Sequence, residues 1–345
     1  MAPAQVTMAE TFQAAGYATA HVGKWHLGYS PDTMPNAQGF DFSFGHMGGC
    51  IDNFSHFFYW QGPNRHDLWR NGQEVFAPGR FFPDLMVEEA SRFIEANQAR
   101  PFFLYFALNT PHYPYQGDPC WLEHYRAVPY PTNLYAAFVT TLDARLRQLL
   151  AKLDALGLRE QTIVVFQSDN GHSTEERAHF GGGSAGPYRG AKFSLLEGGL
   201  RVPALIAWPG HLPAGQTRSQ LAHACDWLPT LAGLCGVPLD QRDLDGRSLE
   251  SVLQSATAPS PHAALHWQTG PLKNPQWAVR EGDWKLLGNL WDTSVGDKTR
   301  PQTNLFLANI AQDPGERSDF AHDYPEVVQR LLGLREAWVR SVADR

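Results

Sequence analysis

Four short clusters of side chains in this sequence are suited to chemistry, and each follows an apolar run or a glycine-rich turn. Lysine ammonium groups neutralise anions, imidazoles move protons near neutral pH, and paired Asp and Asn oxygens suit hard cations such as Ca²⁺ or Mg²⁺. Combined in one site, these groups suit an enzyme that binds a tetrahedral anion and protonates its leaving oxygen. The clusters are Lys24 with His26, His112 after Thr110-Pro111, Asp169 with Asn170, and Lys192.

Each cluster also has a simpler explanation when it is taken alone. Lys24 can be a surface lysine beside a histidine that bonds the backbone, and His112 can be a structural residue of a proline turn. The sequence Asp169-Asn170-Gly171 is typical of an Asx turn that ends a strand. Lys192 can be a solvated lysine. The functional hypothesis therefore depends on the combination of the four clusters.

Continuous apolar runs predict the strands that position these clusters. Residues 102–108 and 162–168 are apolar without alternation, which is typical of parallel strands buried on both faces. A further short strand is predicted over residues 203–208. Polar clusters lie at the carboxyl ends of such strands, where open α/β sheets bind their ligands. We therefore predict an α/β domain built on a mixed, mostly parallel sheet flanked by helices.

Helices are predicted from capping signals and from apolar residues at helical spacing. Thr7 and Glu10 have the spacing of a capping box, in which each side chain bonds the other's backbone N–H. Apolar side chains recur at helical spacing over residues 86–94 and 142–153, and Gly157 suits a helix end. Past residue 255 the pattern changes to strand-like runs and a final helix from Pro325.

This change predicts an α/β domain over residues 1–255 and a smaller C-terminal α+β subdomain over residues 256–345.

The composition excludes two classes of partner. Lysine and arginine number 28 against 35 acidic residues, a net charge of −7, which argues against a nucleic-acid binder with its basic face. The longest apolar run, residues 102–108, is far shorter than the roughly 20 residues of a membrane helix. The four cysteines lack metal-site spacing. We expect no membrane span and no secretory signal in the sequence as written.

The segment from Gly16 to Gly28, GYATAHVGKWHLG, closely resembles the second signature of the formylglycine-dependent (type I) sulfatases. Further segments resemble later landmarks of that family, in the same order along almost the whole chain. The resemblance implies an alkaline-phosphatase-like fold and hydrolysis of a sulfate ester of a sugar or an aryl alcohol. The later segments begin at Gly39, Pro101, Thr110, Ser168, Arg189, Glu197, Asp226, Trp284, Asn304 and Asp313.

The resemblance also implies a role for each candidate residue. Lys24 and Lys192 hold the sulfate oxygens, and His112 binds sulfate and assists departure of the alcohol. His26 is the base that breaks down the covalent sulfo-enzyme intermediate. Asp169 and Asn170 are Ca²⁺ ligands. Independently of the resemblance, His172 is a further candidate to face the substrate.

The sequence departs from the family at the nucleophile and the metal site. The family makes its formylglycine from Cys or Ser in a Cys/Ser-x-Pro/Ala-x-Arg motif, and none of Cys50, Cys120, Cys225 or Cys235 is followed by it. We expect no serine to supply the motif either. The family's Asp-Asp metal pair has no equivalent before Thr7, so two protein ligands would bind Ca²⁺ weakly or not at all. We therefore expect the chain to be a sulfatase without its N-terminal segment and to have negligible activity alone.

Two alternatives stay open at this stage. The chain can be a non-catalytic protein that binds sulfated glycans, or a phosphoesterase or phosphonate hydrolase of the same superfamily. Residues 44–69 are the predicted source of substrate specificity, although a packed cover is the simpler explanation of their aromatic and histidine side chains, which are His46, Asp52, His56, Tyr59, Trp60 and His66. The family implies a periplasmic, extracellular or lysosomal location, which this sequence does not specify.

Overall fold

The chain forms two compact units in the computed structural model, which describes residues 5–60, 62–239, 244–271, 273–294 and 304–343. The first unit contains the chain to Ile163 with residues 208–211 and 228–243, and the second contains the remainder. The domain division predicted after residue 255 stays a prediction. Among the described residues, no helix has the length and apolar character that crossing a bilayer requires.

The first unit opens with the predicted capped helix and contains a mixed sheet flanked by helices. Thr7 accepts a hydrogen bond from the Glu10 amide at 3.0 Å, and the Glu10 carboxylate accepts from the Thr7 amide at 2.7 Å, which confirms the capping box. The elements are α1 (Met8–Ala14), β1 (Ala18–Lys24), β2 (Phe42–His46), β3 (Phe57–Phe58), β4 (Arg65–His66), β5 (Trp69–Arg70), β6 (Gln73–Glu74), α2 (Phe82–Asn97), β7 (Phe102–Ala107), α3 (Pro119–His124) and α4 (Thr132–Ala155).

The main sheet of this unit has the order β6-β5-β2-β1-β7. β1 is parallel to both β2 and β7, whereas β5 and β6 are antiparallel, so the predicted mixed sheet is confirmed. β7 is the edge strand, and its residues are half-buried, with Tyr105 exposed. The prediction that this strand is buried on both faces is therefore wrong for the described structure. The apolar sequence of β7 indicates a preference for a buried strand, but the extent of its burial depends on the elements that pack against it.

Aromatic side chains surround a fully buried histidine in β1. His21 has no exposed surface, and its ring lies 5.2 Å from Trp25 and 5.8 Å from Phe40, measured between ring centroids. Its Nε2 faces the Lys24 carbonyl at 3.1 Å. Burial lowers the pKa of His21 to about 4, although this carbonyl favours the protonated form. The first unit thus contains an imidazole that stays neutral at physiological pH.

The second unit contains a two-stranded sheet, a four-stranded sheet and the C-terminal helix. β8 pairs antiparallel with β9 and is half-buried, so the prediction of a buried parallel strand is wrong here. The four-stranded antiparallel sheet, β10-β11-β12-β13, and α8 confirm the α+β character predicted for the C-terminal part. The elements from residue 164 onward are β8 (Val164–Gln167), α5 (Glu197–Leu200), β9 (Ala204–Ala207), α6 (Trp227–Leu234), α7 (Glu250–Gln254), β10 (Leu265–Thr269), β11 (Gln276–Glu281), β12 (Trp284–Gly288), β13 (Leu305–Asn309) and α8 (Pro325–Ala343).

A buried ion-pair network joins α5 to the four-stranded sheet. Lys285 has no exposed surface, and its Nζ lies 2.9 Å from Glu197 Oε1 and 3.0 Å from Glu316 Oε1. Arg280 reaches the other Glu197 oxygen at 3.0 Å. Burial opposes ionisation of Glu197, but the adjacent Lys285 and Arg280 lower its pKa below the usual value. Burial raises the pKa of Glu316 instead, so Glu197 is the carboxylate of this network whose ionised form the surrounding cations favour.

The buried His21 predicts a pH-dependent stability. Its pKa of about 4 in the folded state lies below the roughly 6.5 of an unfolded chain, so the unfolded state binds the proton more readily. The free energy of unfolding should therefore fall by about 2 kcal/mol between pH 7 and pH 5 from this residue. Urea unfolding at the two pH values measures the change. The free energy of unfolding of His21→Phe should depend less steeply on pH, whereas His322→Asn, at an exposed position, should keep the pH dependence of the unmodified chain. An equal pH dependence in the unmodified chain and both variants would contradict the prediction.

Loss of the buried ammonium predicts a large destabilisation. Lys285→Met leaves the Glu197 and Glu316 carboxylates buried without their shared cation, which should lower the free energy of unfolding by about 3–5 kcal/mol. The deficit should shrink as the pH falls, because protonation neutralises the carboxylates. Lys152→Met is the matched control: its ion pair with Glu95 is partly exposed and should contribute under about 1 kcal/mol. Equal effects of the two substitutions would refute the role of burial.

Candidate active site

Lys24 and His26 lie where β1 leaves the sheet of the first unit. The parallel ladder with β2 continues past the strand end, because the Trp25 amide donates to the His46 carbonyl at 2.9 Å and the His26 amide to the Met47 carbonyl at 3.1 Å. His26 has a left-handed backbone with φ of 57°, which is uncommon for a residue with a side chain. Such backbone strain is common at functional sites.

Gly49 fixes where the His26 ring can lie. A Cβ atom on Gly49 would lie 2.9 Å from both Cε1 and Nε2 of His26, closer than such contacts normally allow. Gly49 therefore packs directly against the imidazole, and a larger residue there would displace the ring.

His46 is a buried imidazole beside Lys24. The two residues are partners in the β1–β2 register, and His46 has no exposed surface. Neither ring nitrogen makes a hydrogen bond of good geometry with a described residue, although the Gly48 carbonyl is close enough to favour the protonated form. Burial lowers the pKa of His46 well below the usual value, and the charges of Lys24, His21 and His112 lower it further. Lys24, His46 and His112 therefore converge at this edge of the sheet.

His112 is held in the loop that follows β7. Its amide donates to the Asn109 carbonyl at 3.0 Å, and the Asn109 side chain donates to Asn53 Oδ1 at 2.8 Å, which anchors the loop to the interior. The His112 Nδ1 lies 2.8 Å from the Tyr113 carbonyl oxygen. Because a carbonyl only accepts, Nδ1 carries a proton, and the lone pair of the neutral ring is on Nε2. This tautomer suits proton transfer through Nε2.

In the second unit, Asp169 and Asn170 follow β8 in a tight turn. Asp169 is exposed, and the Asn170 side-chain amide donates to the Gly171 carbonyl at 2.8 Å, which aims its oxygen away from that carbonyl. Within the described ranges, no three His, Cys, Asp or Glu side chains are grouped as metal ligands. Calcium requires about 6–8 oxygen ligands, so the residues present do not form a complete Ca²⁺ site. We derive no chemical step through a metal.

Lys192 and His172 are neighbours in the same unit. The Lys192 amide donates to the His172 carbonyl at 2.8 Å, and the ammonium group lies 3.1 Å from Glu175 Oε2 and 5.0 Å from the centroid of the Phe193 ring. The His172 Nδ1 is buried and makes no hydrogen bond with a described residue. Burial lowers the pKa of His172 below its usual value. Lys192 and His172 therefore place an ammonium group in the same loop region as an imidazole whose neutral form is favoured.

Thr293 holds the loop that carries Lys192. Its hydroxyl accepts from the Ala191 amide at 3.2 Å and lies within donating distance of the carbonyls of Ala191, at 3.1 Å, and Lys192, at 3.0 Å. The Thr174 hydroxyl donates to the Thr293 carbonyl at 2.7 Å. Glu175 and Thr293 were missed in the sequence analysis because 17 and 101 residues separate them from Lys192. No local pattern could have indicated these contacts.

One expectation about the nucleophile motif is wrong. Residues 341–345 read Ser-Val-Ala-Asp-Arg, so a serine does match Ser-x-Ala-x-Arg. Ser341 lies near the end of α8, where its hydroxyl donates to the Trp338 carbonyl at 2.8 Å within the helix. The Ser341 hydroxyl is thus engaged by the backbone of its own helix. We therefore derive no step through a formylglycine.

The contact between Gly49 and His26 predicts a local effect of one methyl group. Gly49→Ala should displace the His26 ring, because the added Cβ would lie 2.9 Å from two of its atoms. The change should shift the His26 ring resonances in an NMR spectrum, whereas the free energy of unfolding should change by less than about 1 kcal/mol, because His26 is exposed and its ring can turn away. Gly333→Ala in α8 is the control, since nothing lies within 4 Å of its Cβ position. Unchanged His26 resonances in the first variant would contradict the prediction.

Comparisons with known proteins identify the family of the chain. Residues 2–237 match the family model described as Sulfatase. The chain is 34% identical to human Arylsulfatase A (Homo sapiens) over 96% of its own length and 70% of the relative's. It is 33% identical to mouse N-acetylgalactosamine-6-sulfatase (Mus musculus), covering 96% of this chain and 68% of that one.

A solved structure shows the same fold. The crystal structure of Ps i-CgsB in complex with k-i-k-neocarrahexaose superposes with a TM-score of 0.85 at 28% identity, over 97% of this chain and 74% of that one. The comparisons support the sulfate-ester hydrolase reading and favour neither the non-catalytic glycan binder nor the phosphoesterase. The chain belongs to the sulfatase family, the sulfuric ester hydrolases with an alkaline-phosphatase-like fold.

Proposed function

We propose that this chain binds sulfate esters through the residues singled out in its sequence. In the first unit, Lys24 neutralises sulfate oxygens, His112 binds sulfate and protonates the departing alcohol oxygen, and His26 is a base. In the second unit, Lys192 neutralises sulfate oxygens and His172 faces the substrate. The observation that supports the proposal best is the convergence of Lys24, His112 and the neutral His46 at one sheet edge.

The neutral state of His46 suits an anion site. A buried imidazole that stays uncharged adds no cation that would need its own counterion when the site is empty. The ammonium of Lys24 can then interact with a bound anion. Sulfate is a tetrahedral anion that an ammonium group binds through charge-assisted hydrogen bonds. The contact of His112 Nδ1 with the Tyr113 carbonyl supports its part in the proposal: Nδ1 keeps its proton on that carbonyl, and Nε2, once protonated in the imidazolium form, is the nitrogen that would give its proton to the leaving oxygen.

Sulfatases of this family generally use Ca²⁺ and a formylglycine, and we propose Asp169 and Asn170 as two ligands of that cation. These two donors do not by themselves complete a Ca²⁺ site, and the serine of the only sequence match to the formylglycine motif, Ser341, lies in α8. We therefore propose binding of a sulfated sugar or aryl sulfate with negligible turnover by this chain. A lysosomal, periplasmic or extracellular location belongs to the same proposal.

A binding experiment tests the proposed function. Calorimetry should show binding of 4-nitrophenyl sulfate that weakens about tenfold or more in Lys24→Ala and in Lys192→Ala, since each removes a charge-assisted contact. Lys152→Ala, which removes an ammonium group paired with Glu95 on the surface, is the control and should bind normally. Equal affinity of the unmodified chain and the three variants for 4-nitrophenyl sulfate would contradict the proposed function.

Turnover is a separate test of the inactive state. The chain should release no 4-nitrophenol from 4-nitrophenyl sulfate above the buffer rate. Turnover that disappears in Lys192→Ala would overturn the expectation of inactivity while supporting the assigned site. Tighter binding of 4-nitrophenyl phosphate than of the sulfate would instead favour a phosphoesterase.

A further inference from the structure

Arg65 is clamped between two aromatic rings beside the candidate site of the first unit. It pairs with Phe58 in the β3–β4 hairpin, and its guanidinium carbon lies 4.1 Å from the centroid of the Phe58 ring and 4.7 Å from that of Tyr29. Its Nη2 donates to the Tyr29 hydroxyl at 2.7 Å. A planar guanidinium stacked on both rings is pre-organised, so little side-chain entropy remains to be lost on binding.

Arg65 differs from its neighbouring arginines in its acidic partners. Arg70, Arg80 and Arg92 of the same unit each form an ion pair with a glutamate. Among the residues that the structure describes, no carboxylate lies within ion-pair distance of the Arg65 guanidinium. The residue is exposed, so its remaining N–H donors face solvent. An oriented cation without an acidic partner is ready for an anionic ligand.

Tyr29 lies between Arg65 and the carboxylate of Asp67 and fixes the position of the guanidinium. The Tyr29 hydroxyl donates to Asp67 Oδ2 at 3.0 Å, and burial raises the pKa of Tyr29 to about 12, so it remains a donor. Asp67 is fully buried and also accepts from the amides of Met47, at 3.1 Å, and Gly48, at 2.8 Å. The Asp67 carboxylate is thus already bonded to the backbone of Met47 and Gly48 and to Tyr29.

Two adjacent glycines connect this clamp to His26. A Cβ on Gly48 would lie 2.5 Å from the Tyr29 hydroxyl oxygen and 2.8 Å from a Phe58 ring carbon, and a Cβ on Gly49 would lie 2.9 Å from the His26 ring. With 3.8 Å between consecutive Cα atoms, the Arg65 guanidinium lies no more than about 15 Å from the His26 imidazole. One oligosaccharide can span that distance.

We propose that Arg65 binds a second anionic group, a sulfate or a carboxylate, on the same glycan whose sulfate ester is held at Lys24 and His112, beside His26. The assignment rests on the proposed function and narrows its substrate class to sugars that carry at least two anionic groups. The guanidinium fork matches two oxygens of either anion in a bidentate contact. A simple aryl sulfate has no group to occupy this position.

Calorimetry with matched ligands tests the assignment on the full chain. The ligands are a monosulfated disaccharide, its disulfated analogue, and a monosulfated disaccharide with a uronate carboxylate. The chain should bind one or both dianionic sugars about tenfold or more tightly than the monosulfated sugar, and the tighter ligand identifies the anion. Arg65→Gln should remove this advantage and leave the monosulfated affinity unchanged. Arg147→Gln is the control, because that guanidinium is exposed on α4 with Asp143 as its partner.

Arg65→Lys separates charge from geometry. It keeps the cation but loses the planar fork, so it should retain only part of the advantage for the dianionic ligand. An advantage that persists in Arg65→Gln, or an equal loss for all three ligands, would overturn the assignment. If Lys24→Ala leaves every affinity unchanged, the proposed function fails as well. If Lys24→Ala weakens the binding of all three ligands and Arg65→Gln weakens the binding of none, only the Arg65 assignment fails.

Discussion

The close approach of β1 to its neighbours is the constraint on which the first unit's site depends. Gly23 and Gly45 are partners in the β1–β2 register, with φ of 127° and 153°, a region that side chains rarely adopt. A Cβ on Gly23 would lie 2.0 Å from the Ala107 carbonyl oxygen, and one on Gly45 would lie 1.7 Å from the Gly23 carbonyl oxygen. Only glycine fits at both positions. Lys24 and His46 come immediately after these glycines, so the strands bring a cation and a neutral imidazole together.

Features set by neighbours in sequence could be predicted from sequence. The capping box of Thr7 and Glu10, the helix over Phe82–Asn97 and the C-terminal strands all depend on side chains a few positions apart. The position of Lys24 at a strand end follows from the same local reasoning. Even the resemblance to sulfatases depends on short motifs in a fixed order.

Features set by distant partners could not be predicted in this way. The apolar run of β7 indicates a buried strand, but an edge position leaves it half-exposed. The predicted parallel strand β8 pairs antiparallel with β9, because strand direction depends on the partner rather than on composition. The Glu175 contact to Lys192 and the cation network around Lys285 join residues that no periodicity relates. Tertiary packing decides these features.

Local charge, rather than net charge, decides whether this chain can hold an anion. A net charge of −7 repels a dianion weakly, and salt screens that repulsion beyond roughly 8–10 Å. Several buried acidic residues are already paired: Asp67 with backbone amides and Tyr29, Glu197 with Lys285 and Arg280, and Glu89 with Arg70 and Arg92. Arg65 lacks such a carboxylate among the described residues and lies beside the candidate site. An acidic protein can therefore select a polyanionic sugar, because the nearest oriented cations determine the field that the ligand meets.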